Sequence, residues 1–314
     1  SFRSLALIVV DEQHRFGVSQ RAKLQEESFQ SDDGHLESVP HFLAMTATPI
    51  PRTLSLACFG NLDISLLNEM PKNRKPIITK IARNHADRTK IEDFIRQEIK
   101  KGRQAFIIFP LVETSLALKD VKAAVAEHET LEKKIFPDLR IGLIHGKMKS
   151  QEKEAMMKAF QERAFDILVA TSVVEVGIDI PNASVIVIEE ADRFGLSQLH
   201  QFRGRVGRGD HQSYCFLIPG EHASLENARL EALEKSADGF HIAETDLALR
   251  GPGSFFGTRQ SGFPDVAMES LTNLKLISLA RTEAETLLAA DPSLERHPLL
   301  RQSLARFTTR VHME

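Results

Sequence analysis

The sequence predicts an α/β protein with parallel, doubly wound sheets, followed by a C-terminal helical hairpin. Short apolar runs alternate with amphipathic helical stretches through most of the chain, which is typical of strand–helix–strand units. A polar segment with two prolines, Pro71–Pro76 (PKNRKP), interrupts this alternation and is the best candidate for an interdomain linker. After residue 221 the strand pattern stops and helical patterns follow. We therefore expect domains at residues 1–75, 76–221 and 222–314.

The first domain contains two predicted strands with a helix between them. Leu5–Val10 and His41–Ala47 are runs rich in apolar residues, and Ser19–Phe29 between them is predicted to be helical. The first strand begins within five residues of Ser1, and the chain does not start with Met. The sequence is therefore expected to be part of a longer protein.

The second domain repeats the alternation several times. Unbroken apolar runs predict strands buried on both faces, and apolar residues at helical spacing predict the helices between them. The predicted strands are Gln104–Pro110, Arg140–His145, Asp166–Thr171, Ala183–Glu189 and Tyr214–Ile218, and the predicted helices are Thr89–Lys101, Leu116–Glu132 and one capped by Ser150.

The third domain changes character. Two helices, His222–Ala237 and Phe240–Arg250, are predicted to form a helical hairpin because a short turn at Asp238-Gly239 separates them. A glycine-rich loop at residues 251–262 follows, and the last predicted helix is Glu269–Ala290.

Bulk properties indicate an ordinary globular chain. The 314 residues are 42% hydrophobic and 26% charged, with a net charge of -3, so any polyanion site must be a local patch. Cys58 and Cys215 fit no metal or disulfide spacing, which favours a reducing compartment. No apolar run approaches the roughly 20 residues of a membrane span, and no signal peptide is visible. A cytoplasmic monomer without a membrane partner is expected.

Two carboxylates follow the first strand, in Asp11-Glu12-Gln13-His14. Asp11 at a strand end can hold Mg²⁺ through water, and Glu12 beside it can orient an attacking water for phosphoryl transfer. A solvated acidic turn is the competing interpretation. Thr46 and Thr48 follow the next strand at the same predicted sheet edge, where their hydroxyls can bridge the magnesium site to a neighbouring domain or make an ordinary turn.

The most specific pattern is "QLHQFRGRVGRG", from Gln198 to Gly209, which interleaves Arg203, Arg205 and Arg208 with glycines. Arginine offers a fork that matches phosphate oxygens. The spacing of Gln201, Arg205 and Arg208 suits a domain that lends cations to a nucleotide held by its neighbour. A basic loop that merely attracts nucleic acid is the alternative.

Strand ends in the second domain carry further candidates. Thr171 and Ser172 can grip nucleic-acid phosphates without reading bases, and Gly177 and Asp179 are expected to face the nucleotide cleft. His145-Gly146 can offer a similar backbone contact or form an ordinary strand-ending turn.

Together these stretches resemble the superfamily 2 helicase motor. Motif II corresponds to Asp11–His14, motif III to Thr46–Thr48, motif V to Ala170–Pro181 and motif VI to Gln198–Arg208. The stretches "DEQHRFGVSQR", "TATPIPRTL", "LSQLHQFRGRVGRG" and "LALRGPGSFFGTRQSG" are similar to the RecG family of ATP-dependent DNA branch-migration translocases. The last of them also resembles a motif shared with Mfd, the transcription-repair coupling factor.

The resemblance implies a fold and a set of roles. It implies the C-terminal half of one RecA-like domain, a complete second one and a helical hairpin, using ATP and Mg²⁺ on branched double-stranded DNA such as stalled forks and Holliday junctions. The implied roles are Asp11 for magnesium, Glu12 for water activation, Gln13, His14, Thr46 and Thr48 for coupling, Gln201, Arg205 and Arg208 for the γ-phosphate, and Arg229, Arg250 and Gln260 for linking the hairpin to the motor.

The sequence departs from the family at its start. No G-x-x-x-x-G-K-[ST] loop occurs between Ser1 and Glu314, and the wedge domain of the family is also absent from these residues. We therefore predict that this chain alone does not hydrolyse ATP, whereas the intact protein does. An Mfd-type translocase and a non-catalytic DNA-binding remnant are the alternatives.

Overall fold

A computed structural model describes residues 6–12, 41–46, 65–67, 69, 74–110, 125–171, 179–220, 227–250 and 274–310. The predicted helix at 19–29 and the glycine-rich loop at 251–262 lie outside the described residues. The chain divides into two compact units, one made of Ser1–Asp63 with Arg250–Glu314 and the other of Ile64–Leu249. The predicted domain boundaries stay predictions.

Strands and helices alternate as the fold class predicts. In chain order they are β1 Leu7–Val10, β2 His41–Ala44, β3 Ile78–Ile81, α1 His85–Lys100, β4 Gln104–Phe109, β5 Ile141–Ile144, α2 Ser150–Gln161, β6 Ile167–Thr171, β7 Ala183–Ile188, α3 Leu196–Arg203, β8 Tyr214–Leu217, α4 Ala228–Lys235, α5 Gly239–Arg250, α6 Leu274–Ala290 and α7 Pro298–Arg310.

In the first unit, β1 and β2 are parallel neighbours. Leu7 lies opposite His41 and Val10 opposite Ala44. Strand β1 buries Ile8 and Val10 and leaves the alternate side chains about half exposed, so one of its faces is covered among the described residues. The predicted pair of parallel strands is confirmed.

The second unit contains a six-stranded parallel sheet in the order β3-β8-β7-β4-β6-β5. Strands β4, β6 and β7 are buried along their whole length, which explains their unbroken apolar sequences. The strand order reverses between β4 and β7, and the carboxyl ends on either side of such a reversal are where doubly wound sheets bind ligands. The predicted α/β class is confirmed.

The sheet carries a core on each face. Phe106 and Ile108 of β4 point into one core together with Phe160 of α2 and Phe202 of α3. The alternate residues of β4 point into the other core, to which α1 contributes Ile95. Because helices cover both faces, burial of every β4 side chain follows from the topology.

Some predicted helix boundaries are wrong for local reasons. Helix α1 begins at His85 rather than Thr89, because Asn84 caps it by accepting a hydrogen bond from the Asp87 N–H at 2.9 Å. Ser150 is the first residue of α2 and not its cap; Lys149 takes the cap position, and its N–H donates to Glu152 Oε2 at 2.9 Å.

The structure contains two helical segments beyond those predicted from the sequence. Residues 125–130, the described part of the predicted 116–132 helix, are helical and continue into a π-helical turn, Leu131–Ile135. The helix predicted to be the last one is followed by another, α7, which begins with Pro298 at its first position.

The helices predicted as a hairpin, α4 and α5, contribute to the core of the second unit. Leu230 and Leu233 of α4 and Ile242 of α5 are all buried in the cluster on one face of the sheet. Helix α4 also packs against β3 and α3. Within the described part of the chain, no helix is long and apolar enough to cross a membrane.

Candidate functional site

The predicted carboxylates lie directly after β1. Asp11 is exposed, and its Oδ1 accepts a hydrogen bond from the Glu12 N–H at 2.9 Å. Glu12 has a φ of 51°, a left-handed conformation that costs a non-glycine residue energy and that clusters at functional sites. Because an exposed carboxylate at a strand end is a ligand that Mg²⁺ accepts through water, Asp11 fits the predicted role.

Thr46 lies at the same edge of this two-stranded sheet. The Met45 N–H donates to Val10 O at 2.8 Å, which extends the ladder to the residues just before Thr46 and Asp11. Gln13, His14 and Thr48 lie outside the described residues. The roles of these residues stay predictions.

The arginine loop, residues 204–209, follows helix α3. Arg208 Nη1 lies 3.5 Å from Asp179 Oδ1, and Arg208 Nε donates to Gly204 O at 3.3 Å. Two predicted site residues from separate motifs, Asp179 and Arg208, are thus neighbours. Arg205 sits at the start of the loop, where its N–H donates to Phe202 O at 2.9 Å, and Gln201 is on the last turn of α3. Gly177 lies outside the described residues.

Glycine is required inside the arginine loop. Gly207 has a φ of +77°, and a Cβ there would come within 2.9 Å of the Ile77 side chain. A Cβ on Gly209 would lie 2.5 Å from Pro181 O, a distance that no side chain tolerates. The loop therefore packs closely against the Ile77 side chain at Gly207 and against the Pro181 backbone at Gly209.

Arg203 does not belong with the other two arginines, contrary to the grouping by sequence. Its side chain is buried, and its guanidinium donates to the carbonyl oxygens of Leu233, Ser236 and Ala237 at 3.0, 2.7 and 3.3 Å. Arg203 Nη2 also lies 2.9 Å from His200 Nδ1. The group closes the C-terminal end of α4 and is not available to a phosphate.

The surroundings of Arg203 fix the protonation of its neighbour. Burial, together with the adjacent Arg203 charge, lowers the pKa of His200 to about 4. Burial also lowers the pKa of Arg203 itself. His200 is therefore neutral near pH 7 and accepts the hydrogen bond. Spacing could have revealed this, because Leu196, Leu199 and Arg203 share one helix face.

His145 directly follows strand β5, and Thr171 is the last residue of the neighbouring strand β6. Ile144 lies opposite Ala170 in the ladder, so the two residues that follow are adjacent at the carboxyl edge of the sheet. His145 Nδ1 and Thr171 Oγ1 are both enclosed, and neither has a hydrogen-bond partner among the residues that the structure describes. An enclosed polar atom left unpaired costs roughly 1–3 kcal/mol. Gly146 O accepts from Lys153 Nζ at 3.0 Å, and Ser172 lies outside the described residues.

The predicted coupling residues are described only in part. Arg229 Nη2 donates to Asp192 O at 3.2 Å, which links α4 to the short turn after β7. Arg250 is the last residue of α5, and Gln260 lies outside the described residues. The proposed network between Arg229 and Arg250 stays a prediction.

One perturbed group was not predicted from the sequence. Glu189 follows β7 at the strand-order reversal, and its Oε1 accepts from Arg88 Nη2 at 2.9 Å. Burial raises the pKa of Glu189 to about 7, although the Arg88 charge opposes the rise. The sequence placed Glu189 at a strand end, but only the fold brings Arg88 to it.

Family models match two parts of the chain. Residues 88–210 match the helicase conserved C-terminal domain, and residues 236–306 match domain 3, C-terminal, of the ATP-dependent DNA helicase RecG. The chain is 52% identical to the ATP-dependent DNA helicase RecG of Synechocystis sp., over 98% of this chain and 36% of the relative. It is 45% identical to the protein of the same name from Staphylococcus aureus, over 91% of this chain and 40% of the relative. The predicted resemblance to RecG is confirmed.

Solved structures agree with this assignment. A structure of RecG bound to a three-way DNA junction matches 88% of this chain and 34% of its own chain, with a TM-score of 0.66 and 40% identity. The DUF1998 helicase MrfA bound to DNA and AMPPNP matches at a TM-score of 0.50 and 18% identity, over 74% of this chain and 33% of its own, which supports the fold alone. The chain thus spans well under half the length of the RecG proteins that it matches.

Proposed function

We propose that the chain is the C-terminal part of an ATP-dependent DNA helicase that translocates on branched double-stranded DNA and acts as a monomer. The main support is the 52% identity to a RecG helicase over 98% of this chain. Forks and Holliday junctions are the proposed substrates, in keeping with the three-way junction in the matching RecG structure.

The first unit supplies acids to the proposed reaction. Asp11 would hold Mg²⁺ through water, and the carboxylate of Glu12, with Gln13 beside it, would orient the attacking water. When bound, Mg²⁺ neutralises charge on the phosphate oxygens of ATP. The left-handed backbone of Glu12 supports this proposal, because strain of this kind persists where a side chain must be aimed.

The second unit supplies cations and phosphate contacts. Arg205 and Arg208, with Gln201, would stabilise charge on the γ-phosphate, and the Asp179–Arg208 pair would hold the loop before nucleotide arrives. Thr171, Ser172, His145 and Gly146 would contact the DNA backbone, so binding would weaken with salt and depend little on sequence. Convergence of the acids and arginines on one triphosphate stays a prediction.

An upstream extension tests the proposal. The extended protein, meaning this chain with the preceding sequence up to the length of its relatives, should hydrolyse ATP when forked DNA is added. The 314-residue chain should not, because it contains no P-loop sequence. Glu12→Gln in the extended protein should lower kcat at least about 100-fold. An inactive extended protein that still binds forks would instead support a non-catalytic binding module.

A further inference from the structure

The linker segment before β3 is fastened to the arginine loop. Arg74 Nε donates to Gly207 O at 2.6 Å across 133 residues of sequence. The sequence marked residues 71–76 only as a connector, so this contact gives one of its charged residues a specific partner. Arg74 is half-buried, and within the described part of the chain no carboxylate pairs with it.

Further contacts run along the same two segments. Gln212 Nε2 donates to Pro76 O at 2.7 Å, and the Ile78 N–H donates to Ser213 O at 3.0 Å. The Ile77 side chain fills the space beside Gly207, where a Cβ would meet it at 2.9 Å. The end of the linker and the end of the arginine loop therefore lie side by side up to the start of the β3–β8 ladder.

A hydrogen bond to the Gly207 carbonyl affects the residue that follows it. Its peptide bond leads directly into Arg208, and peptide planarity means that fixing the carbonyl fixes the direction in which the next residue starts. Gly207 is buried and has a φ of +77°, a conformation that glycine adopts without strain, so the orientation of this peptide is set by the contacts around it. A charge-assisted bond from a guanidinium is strong enough to select one orientation.

We propose that Arg74 is a positioning residue, which holds the Gly207–Arg208 peptide so that the Arg208 guanidinium keeps the direction that the reaction needs. The proposal rests on the proposed ATPase and adds to it a residue outside the recognised motifs.

Substitutions in the extended protein test this. Arg74→Met removes the donor, and Arg74→Lys keeps the charge but lacks the Nε–H. We expect both to lower kcat for ATP hydrolysis about tenfold, with KM for ATP changed less than about twofold, because binding groups remain while alignment is lost. Gln212→Leu removes the neighbouring hydrogen bond to Pro76 O and should lower kcat by a smaller factor.

Arg163→Met is the matched control. Arg163 is an exposed arginine between α2 and β6, and no hydrogen bond or ion pair of its side chain is present within the described residues. Its kcat and KM should equal those of the unsubstituted protein. Normal kcat in Arg74→Met would overturn the proposal, and so would a loss of kcat in Arg163→Met equal to that in Arg74→Met.

Hydrogen exchange supplies a readout that does not depend on activity. The peptide covering residues 204–213 should exchange faster in Arg74→Met than in Arg163→Met, whereas peptides from β6 should be unchanged. Unchanged exchange in 204–213 would refute the anchor even if the extended protein proved to have no ATPase. An inactive unsubstituted protein with faster exchange in Arg74→Met would refute the proposed function and leave the anchor standing.

Discussion

The two edges of the six-stranded sheet differ in how well their polar groups are satisfied. At the amino edge, Gln104 Nε2 donates to Phe160 O and Phe165 O at 2.7 and 2.8 Å, and its Oε1 accepts from Asn182 Nδ2 at 3.0 Å. At the carboxyl edge, Thr171 has an enclosed hydroxyl without a partner among the described residues, and Glu189 holds a raised pKa.

This difference distinguishes positions whose hydrogen bonds stabilise the sheet from positions whose polar groups have no partner among the described residues. The satisfied amino edge closes the core and, beyond β3 and β8, seats the arginine loop. The carboxyl edge tolerates polar groups that destabilise the folded chain, which is expected where a ligand is to bind. Substitutions at each edge should therefore change stability with opposite sign.

The largest expected effect is at the amino edge, for Gln104→Leu. The change removes three hydrogen bonds in a buried position and should lower the free energy of unfolding by about 2 kcal/mol. Urea denaturation can be followed by the fluorescence of the one tyrosine, because the chain has no tryptophan and Tyr214 lies in β8. Gln161→Leu, at an exposed position, is the control and should change stability little.

Glu189→Gln should have the next largest effect, and it should stabilise the chain above pH 7. The folded carboxyl keeps its proton up to a pKa of about 7, whereas the unfolded one loses it near the ordinary pKa of 4.5. The unfolded state binds fewer protons between these values, so stability falls as pH rises through this window. The substitution should remove that fall, so at pH 8 the variant should have a higher free energy of unfolding than the unsubstituted chain. Glu190→Gln should retain the fall in stability with rising pH. Equal pH profiles of stability for the two variants would contradict the raised pKa of Glu189.

Thr171→Val should stabilise the chain by about 1 kcal/mol, since it removes a hydroxyl that has no partner within the described residues. In the extended protein it should also weaken binding to forked DNA roughly fivefold, measured by fluorescence anisotropy. Thr79→Val is the matched control, because Thr79 Oγ1 is likewise enclosed and unpaired among the described residues but lies within β3. It should stabilise similarly and leave DNA binding unchanged.

The smallest effect is expected for Asp166→Asn. Arg140 donates to both carboxylate oxygens, and its hydrogen bond is the main cause that lowers the pKa of Asp166. The pair is largely exposed, so its loss should cost only about 0.5 kcal/mol at pH 7. The stability difference between the variant and the unsubstituted chain should disappear in acid, below the lowered pKa, because the Asp166 carboxyl is then protonated in both the folded and the unfolded state. Asp138→Asn, on a more exposed acid, should have no measurable effect.

The buried strands could be predicted from the sequence because a strand that is buried on both faces has an unbroken apolar sequence. Strands β4, β6 and β7 are unbroken apolar runs, and the structure moves their ends by one residue. Helix α7 was missed because its leucines do not mark a buried face: Leu299 is 80% exposed. Its start at Pro298 was the available signal.

The candidate site was predictable where function depends on motifs and not where it depends on long-range partners. Asp179 and Arg208 were both predicted, and the structure joins them. Helical spacing could indicate that Arg203 is buried, but it does not indicate that Leu233 O accepts from Arg203 or that Arg88 contacts Glu189. Arg74 and Gly207 are 133 residues apart in the sequence, and no local sequence pattern indicates that they are in contact.

The position of β3 at the sheet edge has a consequence for biosynthesis. Strand β3 pairs with β8, the last strand of the sheet to be made. While the chain is being synthesised, Ile78–Ile81 has no partner strand until Tyr214–Leu217 has been made, and an unpaired strand edge favours association with other chains. The final strand thus completes the domain and delivers Gly207 to Arg74 in a single late event.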